Sequence, residues 1–140
     1  MRVTIIGAGR VGSTLGARLA QVGHEISYVV RDAGSTKHGQ LQETASHITA
    51  DIGSATADAD AIIVALPWSE VESCLKKAGP LNGKMIIDAT NPLELSEAGL
   101  ARGLTIGHDS SGGEKIAQWL PNAHVSKAFN TVGVEVMQNP

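Results

Sequence analysis

Gly7, Gly9 and Gly12 stand at GxGxxG spacing in the opening stretch MRVTIIGAGRVGSTLG, between a β-branched run and a run with helical periodicity. The chemistry served by that spacing is the holding of a pyrophosphate. A first glycine permits a tight turn, a second removes the side chain that would keep the backbone from the anion, and a third lets the following helix approach the strand. The helix end then offers unpaired N–H groups and a positive dipole end. Ala8, Arg10 and Val11 lie in the same loop, so Gly7 to Gly12 is the first candidate cofactor-binding segment. The alternative for these glycines is a turn with packing duties alone.

A second group of residues bears on which dinucleotide is held. An NAD-type site places a carboxylate at the tip of the second strand, where it accepts from the ribose 2′-hydroxyl. Here the expected tip is Val30, which cannot accept, and Arg31 follows at once with Ser35, Thr36 and Lys37 in the same loop. An arginine and a lysine with hydroxyls nearby suit a 2′-phosphate, so NADP is favoured over NAD. Asp32 keeps NAD open, because a strand ending one residue later would bring its carboxylate to the tip. Solvated loop charges are the plain alternative for Arg31 and Lys37.

Later strand ends add further candidates. Ala65, Leu66 and Pro67 follow the fourth strand, where they would roof a crevice and bring a backbone amide toward the nicotinamide ribose. Trp68 either stacks on a substrate ring or packs against the sheet. Thr90 and Asn91 follow the fifth strand and are candidate cofactor contacts, although turn chemistry alone accounts for Asn91 before Pro92. Phe129, the one phenylalanine, is expected in the core. His108, Asp109, Ser110 and Ser111 include triad residue types, but adjacency in sequence is not triad geometry, and a polar loop into a capped helix is preferred. Cys74 reads as a packing thiol, and the dispersed histidines have no metal-ligand spacing.

The elements that must position these residues alternate between short β-branched runs and longer helical stretches, as parallel βαβ units require. Expected strands are Val3 to Ile6, Glu25 to Val30, Ala61 to Ala65, Met85 to Asp88 and His124 to Ala128, with His47 to Ala50 a further short one. Val11, Leu15, Leu19 and Val22 form one apolar helical stripe, stopped by Gly23. A second helix has Ser69 and Glu72 as a capping box, Val71, Cys74, Leu75 and Ala78 as its buried stripe, and Gly79 with Pro80 as its end. A third has Ser111 and Glu114 as its box and faces Ile116, Trp119 and Leu120 inward. The fold expected is α/β: a Rossmann-type, doubly wound, mostly parallel sheet with helices on both faces, in a single domain over residues 1–140.

Composition agrees with that class. Apolar residues make up 42% and charged residues 18% of 140 residues, which suits one globular domain. The 14 acidic and 11 basic side chains form no basic stripe, so small molecules rather than nucleic acid or a membrane are the expected partners. A single cysteine and a start without a signal-like segment favour the cytoplasm. Val134 to Pro140 looks like the start of a helix, and an ending there suggests a fragment or an unusually minimal protein.

Three segments, GAGRVGSTLG, ALPWSEVESCLKKAGPLNGKMIIDATNPL and SGGEKIAQWLPNAHVSKAFNTVG, together resemble the amino-terminal domain of the NADP oxidoreductases dependent on coenzyme F420, a deazaflavin. The resemblance runs over nearly the whole chain, and NPL followed by KAFNT is more specific than the glycine motif. It implies hydride exchange between NADP(H) and the deazaflavin or a flavin-like acceptor. It also implies cofactor phosphates at Gly7 to Gly12, the 2′-phosphate near Arg31 and Lys37, and the nicotinamide pocket around Leu66, Pro67 and Asn91. The family adds a smaller helical carboxyl-terminal part, absent from these residues, that helps close the deazaflavin site and build a homodimer. Two other functions stay open: an NAD(P)-sensing regulatory module without catalysis, and an NAD(P)-dependent dehydrogenase of a small organic substrate.

Overall fold

The computed structural model describes residues 1–96, 98, 101–107 and 109–140. Along the chain the elements run β1 (Arg2–Ile6), α1 (Arg10–Gln21), β2 (Glu25–Val29), a 3-10 helix (Thr36–Glu43) and β3 (His47–Thr49). Then come α2 (Ile52–Ala57), β4 (Ala61–Val64), α3 (Trp68–Ala78) and β5 (Met85–Asp88). A hairpin of β6 (Leu93–Leu95) and β7 (Ala101–Leu104) follows, and α4 (Gly112–Trp119), β8 (His124–Lys127) and α5 (Val134–Gln138) complete the order.

Six strands form one parallel sheet in the order β3-β2-β1-β4-β5-β8. The fold is therefore the expected Rossmann-type α/β architecture. β4 reads as a continuous apolar run, and β1 nearly so apart from Arg2 and the buried Thr4, because both of their faces are covered. Ile6, Val64 and Ile86 pack on one side with Ile52 of α2, Val71 and Leu75 of α3 and Ile116 of α4. Ile5, Ile26, Tyr28 and Ile63 pack on the other with Leu15 of α1 and Met137 of α5. Among the described residues no helix is long and apolar enough to cross a membrane.

The helix ends depart from expectation in two places. Val22 is 73% exposed rather than part of the buried stripe, because α1 stops at Gln21 and Gly23 turns the chain away with φ +88°. α3 begins at Trp68, two residues earlier than a Ser69 cap allows, because Pro67 fixes the extended backbone that opens it. Glu72 then pairs with Lys76 at 2.7 Å instead of closing a box. The box on α4 is formed as expected, with the Glu114 N–H donating to Ser111 Oγ at 3.2 Å and the Ser111 N–H donating to Glu114 Oε2 at 2.7 Å.

Phe129 is the other correction. It sits past β8 with φ +70° and is 38% exposed, so it does not join the core. The hairpin of β6 and β7, the 3-10 helix and α2 were not expected from the pattern of the sequence.

Candidate functional site

The sheet order changes direction at β1, which lies between β2 and β4. Loops leaving these strands therefore diverge to opposite sides, and a crevice opens above their carboxyl ends. Here it is a cleft of about 950 Å³, within the size range of cofactor pockets.

The glycine loop forms its floor. Gly7 has φ +102°, and a Cβ there would lie 2.4 Å from the Ala65 carbonyl oxygen, so the turn and the approach of the loop after β4 both require glycine. A Cβ on Gly12 would lie 2.0 Å from the Gly7 carbonyl oxygen, the close helix-to-strand approach expected of the third glycine. Gly9 differs: a Cβ on it would meet no protein atom within 4 Å. Packing does not demand glycine there, which leaves room for a ligand as the physical reason. Gly9 is the N-cap of α1 and brings no side chain to the first-turn N–H groups.

Of the residues expected at the site, Gly7, Ala8, Gly9, Arg31, Lys37, Ala65, Leu66 and Pro67 line the cleft. The others do not. Gly12 is taken up by packing, Val11 of α1 packs against the core, and Arg10 reaches away to Glu135 of α5 at 3.0 Å. Thr90 is buried, with its N–H at 2.9 Å and its hydroxyl at 2.7 Å both donating to Asp88 Oδ1, so its side chain is committed to the protein. Asn91 bridges to the loop after β8, donating from Nδ2 to the Asn130 carbonyl at 3.2 Å and accepting from Asn130 Nδ2 at 3.4 Å.

At the tip of β2 the strand ends at Val29, one residue earlier than expected. Asp32 thus falls further from the tip, and its Oδ1 accepts the Gly34 N–H at 3.0 Å. Arg31 points across the cleft to Glu70 of α3 and donates from Nη2 to Oε1.

One wall of the cleft was missed in the sequence. Glu70, Ser73, Cys74 and Lys77 of α3 all line it, and their i, i+3, i+4, i+7 spacing is the signal that marks a shared helical face. Cys74 is half-buried, and burial pushes its thiol above the ordinary range, which disfavours the thiolate. Trp68 is settled in favour of packing: it stacks on Trp119 of α4 with centroids 5.6 Å apart and planes at 28°. Ser111 is spent on its cap, and His108 lies outside the described residues.

Residues 2–92 match the family model described as NADP oxidoreductase coenzyme F420-dependent. A glycerol-3-phosphate dehydrogenase (NAD(P)+) of Thermoanaerobacter sp. (strain X514) is 23% identical over 163 residues, covering 99% of this chain and 49% of that protein. The metalloreductase STEAP3 of Rattus norvegicus is 28% identical over 137 residues, covering 98% of this chain and 26% of that protein. Among solved structures, a candidate F420-dependent NADP reductase from Arthrobacter sp. FB24 has a TM-score of 0.89 at 30% identity, covering 100% of this chain and 67% of that one. The chain thus spans half or less of these curated relatives.

Proposed function

Since this chain belongs to the coenzyme F420-dependent NADP oxidoreductase family, we propose that its cleft binds NADP(H) and holds the nicotinamide for hydride exchange with the deazaflavin or a flavin-like acceptor. The observation that carries the cofactor choice is at the tip of β2. Arg31, Asp32 and Lys37 all line the cleft there, with Asp32 Oδ1 accepting from the Gly34 N–H of its own loop, so two cations face one carboxylate. Cations with several N–H donors fit a phosphate, and at this tip they outnumber the one carboxylate.

The remaining residues fit the rest of such a dinucleotide. The first turn of α1 offers N–H groups and a positive dipole end to the pyrophosphate, and Gly9 leaves room for it. Leu66 and Pro67, held over the floor by the contact of Ala65 with Gly7, shield the reacting end from water. NADP(H) itself supplies the hydride chemistry, which asks the protein for proximity and orientation rather than for an acid or base.

Two measurements test this. Titration of the chain with NADPH and NADH is expected to give tighter binding of NADPH, with Arg31→Ala removing most of the difference; equal affinities in the wild-type chain would overturn the cofactor choice. Mixing with NADPH and either F420 or FMN is expected to bleach the acceptor's absorbance. A full-length protein that binds NADPH but reduces neither would overturn the hydride-transfer reading.

A further inference from the structure

α3 shows two different faces. Val71 and Leu75 are buried in the core, and the neighbouring flank of Glu70, Ser73, Cys74 and Lys77 lines the cleft. Glu70 lies in the first turn, where the helix dipole favours a carboxylate. From that anchored position it accepts from Arg31, a residue on the opposite wall and 39 positions earlier in the chain. Lys37 and Lys77 line the same cleft, and among the described residues neither ammonium is in an ion pair. Of the arginine and lysine side chains that line the cleft, the one in an ion pair among the described residues is therefore Arg31, beside the β2 tip.

A phosphate and a carboxylate compete for the same guanidinium donors. They also repel each other when brought together on one arginine. The 2′-hydroxyl of NAD(H) makes no comparable claim on a guanidinium. We propose that Glu70 is a specificity-determining residue that competes with the 2′-phosphate for Arg31, weakening NADP(H) while leaving NAD(H) nearly unaffected. This rests on the assignment of the cleft to NADP(H). Because Arg31 is 81% exposed and Glu70 33% exposed, the pair is solvent-screened and its effect is a few-fold. Glu70 thereby tunes a preference for NADP(H) without reversing it.

The test is a double-mutant cycle on the 140-residue chain, with Kd values for NADPH and NADH read by nucleotide fluorescence in the wild type, Glu70→Gln, Arg31→Ala and the double variant. Glu70→Gln is expected to tighten NADPH about five-fold, to change NADH by less than about two-fold, and to leave the unfolding midpoint in place. On the Arg31→Ala background the same substitution is expected to change NADPH by less than about two-fold. Weaker or unchanged NADPH binding in Glu70→Gln, with Arg31→Ala still selectively weakening NADPH, would overturn the competitor role alone, and weaker binding would make Glu70 an orienting group for Arg31. Equal binding of NADPH and NADH in the wild type, unaltered by Arg31→Ala, would overturn the assignment of the cleft and this proposal with it.

Discussion

Lys127 donates from Nζ to Asp88 Oδ2 at 2.9 Å, fastening the carboxyl end of β8 to that of β5. The Asp88 side chain is 0% exposed and that of Lys127 is 32% exposed. Thr90 supplies the other carboxylate oxygen with two donors, and Lys127 also donates to the Thr90 carbonyl. A buried carboxylate tolerates ionisation only with such partners. Lys127→Met is expected to destabilise the chain by about 2–3 kcal/mol, at the lower edge of what breaking a buried pair costs because Lys127 is partly solvated. Urea unfolding checks this, and adding Asp88→Asn should restore part of the loss.

The glycine loop separates packing from binding. Gly12→Ala places a methyl against the Gly7 carbonyl, so a stability loss of about 1–3 kcal/mol is expected together with loss of NADPH binding. Gly9→Ala meets no protein atom. It should cost less than about 1 kcal/mol of stability as an N-cap change, yet weaken NADPH at least about ten-fold, because the second glycine is the one that a pyrophosphate must approach. Paired unfolding and titration curves distinguish the two variants.

Asp51 caps α2, accepting at Oδ1 from the Gly53 N–H at 3.0 Å and the Ser54 N–H at 3.2 Å. The bonds from Ser54 foremost hold its carboxyl below the usual 3.8. With the folded value lowered, the unfolded chain takes up the proton first as pH falls. The contribution is thus fully present above the unfolded value and is lost as pH drops through the folded one. Asp51→Asn keeps a capping oxygen but cannot titrate, so its urea stability measured from pH 6 down to pH 3 should fall less steeply than that of the wild type.

Trp68 and Trp119 join the start of α3 to the end of α4. A double-mutant cycle with leucine at each position should give a coupling of about 0.5–1.5 kcal/mol, the range for stacked aromatic pairs. Additive effects would mean that each ring acts only through its own burial.

The strands were legible because Val3 to Ile6 and Ala61 to Val64 are buried on both faces and so carry β-branched, largely apolar runs interrupted only by Thr4. α4 was legible because its capping box is local chemistry between Ser111 and Glu114. What a helix flank faces is not local. Glu70 and Lys77 carry no local signal of a site, and only the neighbouring β2 loop makes them walls of a cleft. Thr90 marks a strand end correctly, but the demand of Asp88 for donors turns it inward. The residues of β7, Ala101 to Leu104, include glycine and arginine and carry little strand preference, so their pairing with β6 decides their conformation.

The strand order has a consequence for how the chain is made. β1 leaves the ribosome first and lies inside the sheet, with β2 and then β3 added on one side and β4, β5 and β8 on the other. Every later strand of the six-stranded sheet therefore pairs with one already synthesised, and no finished pair has to open to admit a newcomer. A chain emerging from its amino terminus can extend its sheet outward in the order of translation, which shortens the time that each apolar strand waits for a partner.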